Sequence, residues 1–281
     1  DDGWGDLSSG HGTHVTGSVT GNGFRSGGLY KGLANGATFT FQGVEQWTTF
    51  SGTGCSTYNG YWLTGIPSDA GVLLEDAYNW GTRVHNNSWG AAVGGKYDTT
   101  AANFDKRLFS HKDMLVTIAA GNEGVDADEN GYVDLDSIGS PATAKNVLTV
   151  GASDSVRSHC IFDQYCTWNQ TWPSDFPADP TASDRLSDSS QEMAAFSSRG
   201  PTDDGRIKPD VVAPGTNIIS TRASTATESG WGLLDNEFYM YNGGTSMAAP
   251  LTAGAAALVR EYYIEKMGIP NPSSALIKAT L

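Results

Sequence analysis

Apolar and β-branched residues dominate three short runs of this chain, at 37–44, 114–120 and 147–152, and a more polar fourth, 83–89, also reads as strand-like. Runs of this length and density suit strands covered on both faces. At 69–80 and 99–112 the apolar positions instead recur at three- and four-residue steps, the pattern of a helix with one buried side. The first helical run opens after Ser68 and stops at Gly81, a reasonable cap and a reasonable breaker. Strand, helix, strand repetition predicts an α/β architecture of three layers, a mostly parallel central sheet flanked by helices. Such sheets bind ligands beyond the carboxyl ends of their strands, where Ser88-Trp89-Gly90 and 119–122 both fall.

No charge run or low-complexity tract divides the 281 residues, so one domain spanning 1–281 is expected. A 38% apolar fraction with ten Phe, eleven Tyr and eight Trp suffices for a sizeable core, and 35 Gly imply many tight turns. A formal charge of −14 would repel nucleic acid and favours cations. No stretch is apolar for long enough to span a membrane, and no basic, apolar leader opens the chain. A monomer without nucleic-acid or membrane partners is expected. Cys160 and Cys166 could close a small disulfide loop in an oxidising compartment, or could stay free with Cys55; both readings are open.

Two glycine-flanked segments carry candidate chemistry: His11-Gly12-Thr13-His14-Val15-Thr16-Gly17 and Gly244-Thr245-Ser246-Met247-Ala248-Ala249, followed by Pro250. A serine hydroxyl is a weak nucleophile at neutral pH and needs a base such as histidine to take its proton. His11 is the candidate base and Ser246 the candidate nucleophile. Gly244 allows a sharp turn before the serine, and the alanine-rich run that follows favours a helix, which would expose the hydroxyl in the first turn. Pro250 is expected close to that helix start, where a missing N–H costs little. His14 is expected to be a packing residue, and His85, His111 and His159 are given no role. A Gly-x-Ser-x-Gly elbow is absent around Ser246 and His precedes Ser in the chain, which argues against an α/β-hydrolase esterase.

These segments, together with Ala119-Ala120-Gly121-Asn122, Asn87-Ser88-Trp89-Gly90, Ser140-Pro141-Ala142-Thr143, Phe196-Ser197-Ser198-Arg199-Gly200-Pro201 and Lys208-Pro209-Asp210-Val211-Val212-Ala213-Pro214-Gly215, resemble the subtilisin-like serine proteases, or subtilases. The resemblance covers essentially the whole chain, with the wording nearest to the oxidation-stable alkaline bacterial subtilases that carry a C-terminal β-domain. It implies a secreted, extracellular serine endopeptidase acting on polypeptides, held in its precursor by an upstream inhibitory propeptide. It implies that Asn122 donates to the oxyanion beside the Ser246 N–H. Ser88, Trp89 and Gly90 would pair with an extended peptide, and Ala119, Ala120 and Gly121 would line the pocket for the side chain before the scissile bond. In a subtilisin, loss of the equivalent amide lowers turnover roughly 100- to 1,000-fold.

The same family places an orienting Asp on a buried strand before the histidine. Only Asp1, Asp2 and Asp6 precede His11, in a Gly- and Ser-rich context that does not suit that role. The resemblance therefore implies a partial catalytic domain, truncated at both ends and weakened by roughly 10,000-fold or more without its carboxylate. A catalytically incompetent peptide-binding relative is the alternative.

One further stretch, 126–136, sets oxygen-bearing side chains at alternate positions around a glycine, the pattern of a calcium loop. Asp126, Asp128, Asn130, Asp134 and the Tyr132 carbonyl are the expected ligands of a structural Ca2+, with Asp136 as a further one. Ser137 stands where a full hand-type loop carries its bidentate Glu.

Overall fold

The computed structural model describes residues 9–52, 54–157 and 166–281. In chain order its elements are α1 (His11–Thr20), β1 (Gln46–Thr48), β2 (Gly60–Trp62), α2 (Gly71–Asn79), β3 (Val84–Asn87), α3 (Thr99–Ser110), β4 (Leu115–Ala119), β5 (Leu148–Ser153), α4 (Trp168–Thr171), β6 (Val211–Pro214), β7 (Ile218–Thr221), β8 (Gly232–Leu233), β9 (Tyr239–Asn242), α5 (Thr245–Glu265) and α6 (Ser274–Thr280).

Strands β3, β4, β5 and β6 form a parallel sheet in that order. Every residue of β4 is buried, because its alternate side chains serve two different cores. Val116 and Ile118 face Leu74, Phe104 and Leu108 of α2 and α3, whereas Leu115 and Ala119 share the other core with Ala248, Ala249 and Ala256 of α5. Two-sided burial is why the strand reads as an unbroken apolar run. The expected three-layer α/β fold is present.

The run at 37–44 forms no strand. Its Phe39 and Phe41 are exposed, and it is tied to the β3 side of the sheet through side chains: Gln42 Nε2 donates to Leu73 O at 3.1 Å and Gln42 Oε1 meets His85 Nε2 at 2.9 Å. Alternating Thr and Phe suited a strand locally, but a backbone ladder needs a partner in register, and here the contact with β3 runs from one side chain to another. Two antiparallel sheets, β1-β2 and β7-β9-β8, are additional to the elements expected.

Helix α1 is fixed by hydroxyls. Ser220 Oγ donates to His14 O at 2.7 Å and Thr221 Oγ1 to Thr13 O at 2.8 Å, and Gly17 is the position that lets β7 approach, since a Cβ there would run into both hydroxyls. At the other end of the chain, α6 is held by Lys278, whose Nζ reaches Val147 O and Asp210 Oδ1, each at 2.9 Å. Cys166 is disulfide-bonded; Cys160 lies outside the described residues.

Candidate active site

Helices α1 and α5 pack against each other and run the same way. Eight residues after His11, Val19 O accepts the Ala34 N–H at 2.8 Å; eight residues after Ser246, Gly254 packs against Leu33. His11 and Ser246 therefore open two neighbouring helices at a common end. Both are half-buried. Asp1, Asp2 and Asp6 lie outside the described residues.

The start of α5 departs from the expectation for Pro250. The proline is the sixth residue of the helix, so its missing N–H is the one that would have bonded Ser246 O. Ser88 fills the vacancy: its Oγ donates to Ser246 O at 2.9 Å, and Asn86 Nδ2 in turn donates to Ser88 Oγ at 3.0 Å. Ser246 Oγ returns a long 3.3 Å bond to Ser88 O. The residue just past the end of β3 thus holds the backbone of the candidate nucleophile.

Asn122 follows β4 and is exposed. Its Oδ1 accepts from Thr245 N at 2.9 Å and from Thr245 Oγ1 at 3.0 Å. An N–H can only donate, so the oxygen must be the end turned to Thr245, which leaves Nδ2 as the outward end. A Cβ placed on Gly244 would lie 3.4 Å from Asn122 Nδ2 and 3.7 Å from Ser246 N. Asn122 Oδ1 is 3.6 Å from the same point but is taken by Thr245, so the two N–H groups border one small space that stays open because residue 244 has no side chain. The φ of 135° at Gly244 reinforces the choice of glycine. Thr245, given no role from sequence, orients the amide and also receives Gly121 N on its Oγ1 at 3.3 Å. Its position beside the nucleophile was the available signal.

The strand ends lie as expected, with particular burial. Trp89 is half-buried and stacks edge-on against Phe104 at 6.1 Å, so it also serves the core. Gly90 is exposed and abuts Ser140 O, and Ala91 exchanges two 2.9 Å bonds with Ser140. Ala120 is fully buried with its N–H on Val150 O and its carbonyl taken by Gly139 N, whereas Gly121 has a φ of 112° and is crowded by Ser198 Oγ.

His14 is buried and structural. Its Nε2 meets Ile218 O at 3.1 Å and Met240 O at 3.3 Å, which makes Nε2 the protonated nitrogen, and burial lowers its pKa to about 4. Burial lowers His85 to about 4 as well, with Gln42 on Nε2 and Asn87 on Nδ1. A histidine with a depressed folded pKa costs nothing above the ordinary value near 6.5. As pH falls through 6.5 the unfolded chain gains protons that the fold refuses until about 4. Urea unfolding at pH 7 and pH 4.5 is expected to reveal a loss of about 2 kcal/mol from His14, with His85 adding in the same sense. A stability flat over that interval would contradict it.

In the 126–136 loop, Asp126 is buried, with Oδ1 accepting Asn130 N at 2.9 Å and Oδ2 accepting Gly131 N at 3.0 Å. Asn130 Oδ1 accepts Tyr132 N at 2.9 Å, Asp128 Oδ2 accepts Asn130 Nδ2 at 2.9 Å, and Asp134 Oδ2 accepts Ala127 N at 2.7 Å. Gly131 has a φ of 85°, and a Cβ there would strike Asp179 O. The Asp136 carboxylate packs against Gly95, at the far side of the loop. The donors are hard oxygens around an obligatory glycine, a chemistry that fits calcium, although Asp126, Asp128 and Asp134 do not bring three carboxylate oxygens within 4.8 Å of one another.

A parallel α/β sheet with a serine at a helix start, a histidine at its neighbour's start and N–H donors beside the serine is the arrangement expected of the subtilisin-like fold. The chain belongs to the subtilase family, whose model matches residues 4–281. It is 30% identical over 92% of its length to the serine protease/ABC transporter B family protein tagD of Dictyostelium discoideum, and 29% identical over 89% to the serine protease AprX of Bacillus subtilis (strain 168). It spans 16% of the first and 48% of the second. Among solved structures, the S41 psychrophilic protease shares the fold with a TM-score of 0.57 at 23% identity, covering 97% of this chain and 68% of that one. Sphericase does so with a TM-score of 0.55 at 20% identity, covering 97% and 68%.

Proposed function

We propose that this chain is the catalytic part of a secreted serine endopeptidase that cleaves polypeptides through an acyl-enzyme. Ser246 Oγ attacks the peptide carbonyl while His11 takes its proton. The C–N bond then breaks as His11 returns that proton to the leaving amine, and water releases the acyl group by the same steps. Asn122 Nδ2 and the Ser246 N–H hold the oxyanion. Their shared approach to the space above Gly244 is the observation that carries this reading. An extended peptide would lie along Ser88, Trp89 and Gly90, with main-chain pairing supplying affinity and little sequence demand. An upstream propeptide is the expected partner in the precursor.

A fluorophosphonate probe tests the reading, because it bonds only to a serine whose hydroxyl is activated. Stoichiometric labelling of the full-length protein at Ser246 is expected. Peptide binding without labelling would favour the non-catalytic relative.

Calcium in the 126–136 loop, held by Asp126, Asp128, Asn130, Asp134 and the Tyr132 carbonyl, would neutralise crowded carboxylates and steady the segment just after Asn122. Asp128→Asn is expected to lower the calcium-saturated melting temperature by about 5 °C, which corresponds to losing ligand stabilisation of about 2 kcal/mol. Relative rates on different peptides should be unchanged. A variant that melts like the parent in calcium would overturn the assignment.

A further inference from the structure

The residue that follows β5 is Asp154, only 1% exposed. Its N–H donates to Glu192 O at 3.0 Å, but its Oδ1 is buried and has no hydrogen-bond partner among the described residues. A buried carboxylate oxygen without a partner is costly. Nothing acidic nearby relieves it: Asp188 and Glu192, both exposed, bring carboxylate oxygens to within 4.8 Å of that of Asp154 and of each other. Among the described residues no other trio of acidic, histidine or cysteine side chains gathers this closely. The charges acting on Asp154 are those of Asp184, Glu192 and Asp188, all negative.

We propose that Asp154, Asp188 and Glu192 form a calcium site, distinct from the 126–136 loop, that staples the 184–192 segment to the carboxyl end of β5. All three donors are hard oxygens. Three oxygens that all lie within 4.8 Å of one another are close enough to share one ion whose ligands lie about 2.3–2.6 Å away, and two exposed carboxylates leave room for the waters calcium keeps. Magnesium usually takes only one or two carboxylates in a strict octahedron, so a group of three favours calcium. Without a cation the site must keep a proton instead: burial, followed by the three neighbouring carboxylates, pushes Asp154 up to about 9. Asp184 adds a further negative charge felt by Asp154, and its backbone carbonyl accepts Trp168 N at 3.0 Å, which ties a tryptophan to the same segment.

The site also connects to the chemistry. Ser153 O accepts Gly215 N at 2.9 Å, and Gly215 O accepts Gly244 N at 2.8 Å. An ion that fixes the end of β5 thus steadies, two hydrogen bonds away, the glycine that keeps the oxyanion space open.

Calcium binding to the full-length protein, measured by equilibrium dialysis and by terbium luminescence sensitised through tryptophan, tests the assignment. Asp154→Asn keeps the shape and removes the charge. It is expected to bind one calcium fewer per chain than the parent, to lose the tryptophan-sensitised terbium signal, and to melt no lower than the parent in chelator. Asp128→Asn should keep that signal, which separates this site from the loop. Glu192→Gln, on the surface and so harmless to folding, should weaken calcium here by at least about tenfold. Unchanged stoichiometry and affinity in Asp154→Asn and Glu192→Gln would overturn the proposal and leave Asp154 held by a proton alone.

Discussion

Replacing Ser246 by alanine is expected to lower peptide hydrolysis by about a million-fold while barely moving the melting temperature. The rate figure is the one seen when the nucleophile is removed from a subtilisin, a member of the same family. The small stability effect follows from this chain's own contacts. Among the bonds of the described residues, Ser246 Oγ has a long 3.3 Å one to Ser88 O, whereas the bond that completes the helix start runs to the Ser246 carbonyl and is kept by alanine. Turnover of a chromogenic peptide by the full-length enzyme, followed beside fluorophosphonate labelling and thermal melting, separates the two effects. A variant that still labels, or one that loses activity only by unfolding, would remove Ser246 from the role of nucleophile.

The core of the fold could be read from the chain because burial on two sides leaves an unmistakable mark. The run at 114–120 becomes β4, with Leu115 and Ala119 facing one core and Val116 and Ile118 the other, so local composition and tertiary environment agree. At 37–44 they do not. Alternating Thr and Phe satisfy strand propensity, but pairing is a long-range event that a local pattern cannot report, and there the contact with β3 is made by side chains, Gln42 to His85. Strand β6 was hidden for a related reason: Val211–Pro214 alternates half-buried and exposed positions and ends in proline. The site divides in the same way. His11, Ser246 and Asn122 stand in short motifs whose chemistry is local. The parts played by Thr245, Ser88 and Asp154 depend on residues 30 to 158 positions distant, such as Glu192 for Asp154 and Ser246 for Ser88.

Asn122→Ala is expected to lower kcat roughly 100- to 1,000-fold with little change in KM, because an oxyanion donor acts where charge develops and not on the resting carbonyl. The substitution also strands Thr245, whose N–H and hydroxyl both point at Asn122 Oδ1, so some loss could come from a disturbed nucleophile turn. Asn122→Asp separates these effects. It keeps an acceptor for Thr245 but replaces the outward N–H with a negative oxygen, and it should be at least as slow as Asn122→Ala while melting like the parent. Gly244→Ala approaches from the other side. A methyl group would sit 3.4 Å from Asn122 Nδ2 and 3.7 Å from Ser246 N, where the oxyanion must enter, and the φ of 135° is strained for any L side chain, so the turn before the serine shifts as well. A loss in kcat comparable to that of Asn122→Ala, with fluorophosphonate labelling slowed in parallel, is the expected result. If Gly244→Ala turned over at the parental rate, the space above that glycine could not be the oxyanion site, and Asn122 would be a support for Thr245 alone.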